Sequence, residues 1–335
     1  MRPGEWAHQV LTFHADRGDE GRRLDHVLAR HLADRPDASR TRIQRWIRTG
    51  AVTVDGRTAS RVAARVPVGA AVAVDLPPLP PKRRPEGEAI PLDILFEDDH
   101  LLAVNKPAGL IVHPSFGHAS GTLMNALLWH ARSWPAGRPG LVHRLDKHTS
   151  GVLLVAKSPE VHQALTRASA ARRIEKHYLA VVLGRVPRGR GEIALGLSTD
   201  PHDRRRVIAS PHAGRPSLTR YERVARSHAG RPGLTLLRCT LVTGRMHQIR
   251  VHLAASGWPV VGDPVYGPTR VPAFDRARLT AIVRGFPRQA LHAWRLAFAH
   301  PVDGAPVEVV APVPPDMAEL IAEGFGGTAV GRRSG

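Results

Sequence analysis

The stretch His143 to Gly151, HRLDKHTSG, sets one carboxylate, Asp146, among basic, hydroxyl and glycine residues just before an apolar run. That run, Val152 to Ala156, reads as a strand, and a rigid strand can aim a side chain held in the polar turn at its mouth. Asp146 is therefore the candidate catalytic residue. A carboxylate so placed can act as a nucleophile, stabilise developing positive charge or take up a proton. The bland reading of the same residue is an Asx turn or cap, in which its oxygens only satisfy nearby backbone amides.

Two further strings follow in order, KHYLAVVLG from Lys176 to Gly184 and LVTGRMHQIRVHL from Leu241 to Leu253. Around them stand Asn105-Lys106-Pro107-Ala108-Gly109, His113-Pro114, a GTLMNALL run from Gly121, a GDPVYG run from Gly262, and LHAWRLAFAHP from Leu291 to Pro301. Together these strings closely resemble the signatures of the RluA-type pseudouridine synthases, enzymes that isomerise uridine in RNA. The resemblance covers roughly residues 21 to 312. It implies an α+β fold, with a mixed, largely antiparallel sheet in two halves crossed by a basic cleft. It also implies a reaction that needs no cofactor and no metal.

Carried over by motif position, Asp146 matches the family's essential aspartate, Tyr178 the aromatic that lies against the target base, and Arg250 the arginine that pairs with the aspartate. The physical chemistry suits those roles. Burial pushes a carboxylate toward its neutral form, and an adjacent guanidinium opposes that shift. A tyrosine offers a flat face for uracil and a hydroxyl able to pass a proton. Arg144 is expected to enter the RNA stack when the uridine flips out, because a base inside a helix cannot reach a recessed carboxylate. Arg245 and His247 are assigned to RNA contact, with buttressing of the cleft as the competing role. Asn105, Lys106 and the GDPVYG turn read as structural, holding loops at the cleft rim. Without the resemblance, Tyr178 would read as a core aromatic and Arg250 as a phosphate contact.

Composition points to the same partner. Forty-eight Lys plus Arg against 29 Asp plus Glu give a formal charge of +19, which favours a polyanionic ligand. The excess is concentrated, since residues 161 to 250 hold 18 basic against 5 acidic residues. One cysteine, Cys239, excludes an internal disulfide and a cysteine-based zinc site, and the 19 histidines fall in no metal-ligand spacing. Residues MRPGEWAHQV lack the apolar core of a signal peptide, and no run approaches the roughly 18 apolar residues of a membrane span. The expectation is a cytoplasmic protein that touches no membrane and acts as a monomer.

The elements that must position these residues fall into five segments: an N-terminal extension over 1–20, a small domain over 21–76, a proline-rich linker over 77–91, a catalytic domain over 92–314 and a C-terminal tail over 315–335. In the small domain, helices are predicted around Leu24 to Leu32 and from Ser39 to Thr49, with short strands at Val52 to Val54 and Val72 to Leu76. Ser39 is the expected N-cap of the second helix and Gly50 its stop. Ile43, Trp46 and Ile47 share one face of it, while Arg40, Arg42, Arg45 and Arg48 occupy the rest. Charge alone would leave those arginines as a solvated face. The strings RLDHVL and SRTRIQRWIRTGAVTVDG, however, resemble the S4 RNA-binding module, a small α/β domain in which such a helix meets the phosphate backbone, so these arginines are assigned to RNA. The larger domain shows short strands at Leu101 to Val104, Val152 to Ala156, Tyr178 to Leu183 and Leu234 to Leu241, and one predicted helix that begins at Ser158-Pro159.

Two competing readings remain. Asp146-Lys147 with Thr149 loosely suggests a phosphorylated aspartate, with Glu97, Asp98 and Asp99 to bind magnesium, but no phosphate-binding glycine loop accompanies them. A non-catalytic RNA clamp or ribosome assembly factor would use the basic surfaces alone. An S4 module ahead of this domain looks most like the enzymes that modify 23S ribosomal RNA in the large subunit or its precursor, and transfer RNA is the alternative target.

Overall fold

An apolar stripe organises the first unit of the chain. Helix α1 (Leu24–His31) buries Leu24, Val27 and Leu28, and α2 (Arg40–Arg48) buries Ile43, Trp46 and Ile47. Both pack with strands β1 (Gln9–His14), β2 (Val52–Val54), β3 (Arg57–Thr58) and β4 (Ala71–Leu76), which form an antiparallel sheet in the order β1-β4-β2-β3. Ser39 occupies the N-cap position of α2, yet its hydroxyl makes no capping bond. Gly50 ends the helix as expected, at φ +78°, a conformation that favours glycine. Strand β1 departs from the expected extension over 1–20: it pairs with β4 along its whole length, Leu11 opposite Val74 and Phe13 opposite Val72.

The computed structural model describes residues 9–33, 35, 38–76, 85–114, 118–135, 137–203, 205–227, 232–271 and 273–326. Chain contacts divide it into Met1–Arg84 and Pro85–Gly335. Residues 77–84 of the expected linker lie outside the described residues. The remainder of that segment is tied to the second unit, because the Asn125 amide donates to the Glu86 carbonyl at 2.8 Å and Glu88 accepts from the Gly121 amide.

The second unit is built on one large sheet. Its strands are β5 (Ile94–Glu97), β6 (Leu101–Lys106), β7 (Gly140–Leu141), β8 (Ser150–Ala156), β9 (Glu175–Leu183), β10 (Arg190–Thr199), β11 (Val207–Ser210), β12 (Arg215–Arg226), β13 (Leu234–Leu241), β14 (Leu291–Ala299) and β15 (Pro306–Val310). The order is β11-β10-β12-β13-β9-β14-β8-β6-β5, with β15 on β14 and β7 on β8. Pairing is antiparallel except between β14 and β8. The helices are α3 (Leu123–His130), α4 (Pro159–Ala170), α5 (Gln248–Ala255), α6 (Ala277–Gly285) and α7 (Pro315–Phe325). Helix α4 starts as the sequence predicts, with the Ser158 hydroxyl accepting from the Val161 amide and Pro159 in the first turn. Helix α7 lies within the expected tail, and its Met317, Leu320 and Ile321 are buried in the main core.

The centre of the sheet juxtaposes the elements that matter chemically. Ala293 of β14 pairs with Gly151 of β8 on one side and with Tyr178 of β9 on the other. The turn carrying Asp146 thus enters the sheet one strand away from the strand carrying Tyr178. Gly151, at φ +112°, permits that approach, because a Cβ there would collide with the Ala293 carbonyl. Among the described residues, no helix is long and apolar enough to cross a membrane.

Candidate active site

Six residues singled out in the sequence, Arg144, Asp146, Tyr178, Arg245, His247 and Arg250, line one open cavity of 440 Å³ in the second unit. Arg40, Arg42, Arg45 and Arg48 lie on α2 of the first unit, where Arg40 comes within 3.8 Å of Asp25. Three consecutive arginines, Arg204 to Arg206, fall in the basic stretch 161–250, and Arg204 lies outside the described residues.

Asp146 is held by its turn. The Lys147 carbonyl accepts from the Gly109 amide at 2.8 Å and from the Lys106 ammonium at 3.0 Å. Lys106 is fully buried and donates also to the carbonyls of Pro107 and Leu110, so all three of its protons are used. Burial pulls its pKa down to about 7, against the attraction of Asp146. From the other side, Arg288 reaches the His148 carbonyl at 3.3 Å and is itself gripped by both carboxylate oxygens of Asp316 on α7. The turn that carries Asp146 is therefore braced from β6 and, through Arg288, from α7.

Arg250 projects from α5 and joins two carboxylates. Its NH1 donates to Oδ2 of Asp146 at 3.0 Å, while Nε and NH2 donate to Asp263 at 2.6 and 2.8 Å. Asp263 also accepts from the amides of Val265 and Tyr266. Burial works against the Arg250 charge, but Asp263 and then Asp146 hold its pKa above the ordinary guanidinium value. Burial likewise opposes the Asp263 charge, and Arg250 with the two amides brings its pKa below the ordinary carboxylate value. The geometry fixes one Asp146 oxygen against a buried cation. No hydrogen bond from a described residue reaches the other oxygen, Oδ1.

Tyr178 is buried in the cavity wall, and burial, reinforced by the nearby Asp146 charge, raises its pKa. Its hydroxyl keeps its proton throughout the working pH range. Arg144 and Arg245 are exposed, with Lys176 also on the lining, so the cavity mouth is cationic. Such a site offers a fixed carboxylate, a protonated phenol and a phosphate-attracting rim.

The sequence reading left Asp263 and Tyr266 within a structural turn and missed their grip on the site. The Tyr266 ring stacks under Arg250, with Cζ 5.1 Å from its centroid, and its hydroxyl lies 2.9 Å from Nδ1 of His247. The only signal was the polar content of GDPVYG, where a buried aspartate requires a partner that sequence does not name.

Comparison with known proteins agrees with this architecture. A family model described as RNA pseudouridylate synthase matches residues 100–255, and one for the S4 domain matches residues 22–72. The chain is 43% identical over 308 residues to the ribosomal large subunit pseudouridine synthase D of Xylella fastidiosa, covering 91% of this chain and 89% of that one. Its identity to the protein of the same name from Nitrosomonas europaea is 44% over 302 residues, 90% of this chain and 84% of the relative. Among solved structures, human RNA Pseudouridylate Synthase Domain Containing 1 superposes with a TM-score of 0.54 at 27% identity, over 70% of this chain and 88% of that one. Likeness at this identity and coverage, on a fold that brings an aspartate from a turn, a tyrosine from a strand and an arginine from a helix to one basic cavity, shows that the chain belongs to the RNA pseudouridylate synthase family and carries an S4 domain ahead of its synthase domain.

Proposed function

We propose that this protein converts specific uridines of 23S ribosomal RNA to pseudouridine, with Asp146 as the reacting carboxylate. The observation that carries the reading is the 3.0 Å pair between Arg250 and Asp146 in the lining of an open basic cavity. The reaction breaks the N1–C1′ bond and forms C5–C1′. The proton on C5 is lost and one is placed on N1, so nothing is gained or lost overall. Asp146 attacks C1′, stabilises positive charge there or removes a ribose proton, and its fixed Oδ2 leaves Oδ1 for that work. Tyr178 supplies a face for uracil and a proton-carrying hydroxyl. Arg144, exposed at the rim, takes the place of the flipped uridine in the RNA stack, and Arg245 meets phosphate.

The relatives' names direct the target to the large ribosomal subunit. Arg40, Arg42, Arg45 and Arg48 give the S4 domain, drawn over 21–76, a phosphate-binding helix that positions the RNA while the synthase domain, drawn over 92–314, reacts. The protein works as a cytoplasmic monomer on ribosomal RNA or its precursor.

The test is a map of pseudouridine across total RNA from cells with and without the protein, with Asp146→Asn returned as a control. Sites in 23S RNA are expected to vanish and to be restored only by the unmodified protein. Loss confined to transfer RNA would move the target there. No change in any RNA would overturn the enzymatic reading in favour of an RNA clamp.

A further inference from the structure

His247 sits at the start of α5 with φ +55°, a left-handed conformation uncommon for a residue with a side chain. Such backbone persists where its surroundings hold it, and it gathers at functional sites. Here it turns the imidazole away from capping the helix and toward the cavity, where Nε2 lies 3.9 Å from Oδ2 of Asp146. Nδ1 lies 2.9 Å from the Tyr266 hydroxyl. That hydroxyl oxygen accepts the Val207 amide at 2.8 Å, which leaves its own proton free for Nδ1. An imidazole that accepts at Nδ1 carries its proton on Nε2, the atom facing Asp146.

We propose that His247 is a positioning residue for Asp146, oriented by Tyr266, and that its contribution is made to the chemical step and not to RNA affinity. The proposal rests on the reading of Asp146 as the reacting carboxylate. Arg250 and His247 approach the same oxygen, Oδ2, from two directions, and so restrict rotation of the carboxylate. Burial lowers the His247 pKa against the pull of Asp146, with Arg250, Asp263 and Arg144 the other charges around the ring. The imidazole therefore acts as a neutral, directional donor that adds no second cation beside Arg250. At 3.9 Å the contact is longer than a hydrogen bond. Contacts of this kind in unliganded sites commonly tighten when substrate is bound.

The test compares His247→Gln, His247→Phe and Tyr266→Phe with the parent chain on a 23S RNA fragment, measuring kcat and the RNA dissociation constant separately. The glutamine amide nitrogen reaches the place of Nε2 and still donates, whereas phenylalanine keeps the ring and loses the donor. His247→Phe is expected to lose about 10-fold in kcat with RNA affinity unchanged, and His247→Gln to recover most of it. Tyr266→Phe, which leaves the helix start intact, is expected to lower kcat by about 3-fold through the free tautomer. Weakened RNA affinity with parent-like kcat at saturating RNA would overturn the proposal and make His247 an RNA contact. Parent-like behaviour of all three variants would overturn it as well. Asp146→Asn run in parallel keeps the two claims apart: an active Asp146→Asn protein removes the underlying reading, whereas an inactive one beside normal His247 variants removes only this inference.

Discussion

Two carboxylates share the Arg250 guanidinium, and the structure assigns them unequal consequences when either is neutralised. Asp263 is fully buried, takes two guanidinium hydrogens at 2.6 and 2.8 Å, and accepts two backbone amides on Oδ1. In Asp263→Asn the oxygen must stay with those amides, which turns the new NH2 toward Nε of Arg250, donor against donor. Arg250, only 4% exposed, then keeps Asp146 as its one anionic partner among the described residues. Breaking a buried pair from one side costs roughly 3–5 kcal/mol, and the surviving Asp146 contact places this case near about 3. For a domain of this size that is a fall in melting temperature of roughly 6–12 °C. Asp146→Asn differs, because Arg250 retains both bonds to Asp263 and the asparagine oxygen can still accept from NH1, so the loss is the charge component of one contact, about 1 kcal/mol. Thermal unfolding by circular dichroism, alongside tritium release from RNA labelled at uridine C5, measures both effects. Asp146→Asn is expected to melt within about 4 °C of the parent and release no tritium. Asp263→Asn is expected to melt far lower and, with Arg250 displaced, to react slowly. Equal destabilisation by the two variants, or an Asp263→Asn protein that melts with the parent, would refute the division into structural and reacting carboxylates.

Replacing Arg45 and Arg48 together with glutamine should weaken RNA binding and flatten the dependence of log K on log salt by roughly one unit per arginine, as fluorescence anisotropy across a salt series would show. An unchanged slope would remove α2 from the RNA interface. In the first unit, burial opposes the Asp19 charge, yet His31, Arg30 and the Asp16 amide bring its pKa down to about 2 from an ordinary 3.8. A carboxylate with a depressed folded pKa contributes stability that is complete above the unfolded value and is lost as pH falls through the folded one. The stability difference between parent and Asp19→Asn, from urea unfolding of the whole protein, should therefore be largest above about pH 5 and shrink steadily below 3.8. A difference independent of pH would show that Asp19 acts by packing alone.

The sequence by itself determined the local elements and the identity of the chemical groups. The buried run of β8 and the apolar stripe of α2 announce themselves through periodicity, and the motif strings single out Asp146, Tyr178 and Arg250, which the fold brings to one cavity. Signals for two missed elements were also present. Leu11 and Phe13 alternate as a strand should, and Met317, Leu320, Ile321 and Gly324 follow helical spacing, so β1 and α7 were legible within segments taken as extension and tail. Helix α5 was not legible, for a physical reason. Gln248 through Leu253 are all buried, polar and apolar alike, so the helix carries no one-sided stripe for periodicity to reveal. Tertiary structure alone decided who meets whom. Arg250 reaches Asp146 across 104 residues of chain, and Arg288 reaches His148 across 140. The His247 approach to Asp146 brings the start of α5, a helix packed on β10, β11 and β12, to the turn that leads into β8 elsewhere in the same sheet. A hydrophobic pattern selects which face of a strand is buried, whereas hydrogen bonds between side chains need distance and direction, and those exist only once the strands have paired.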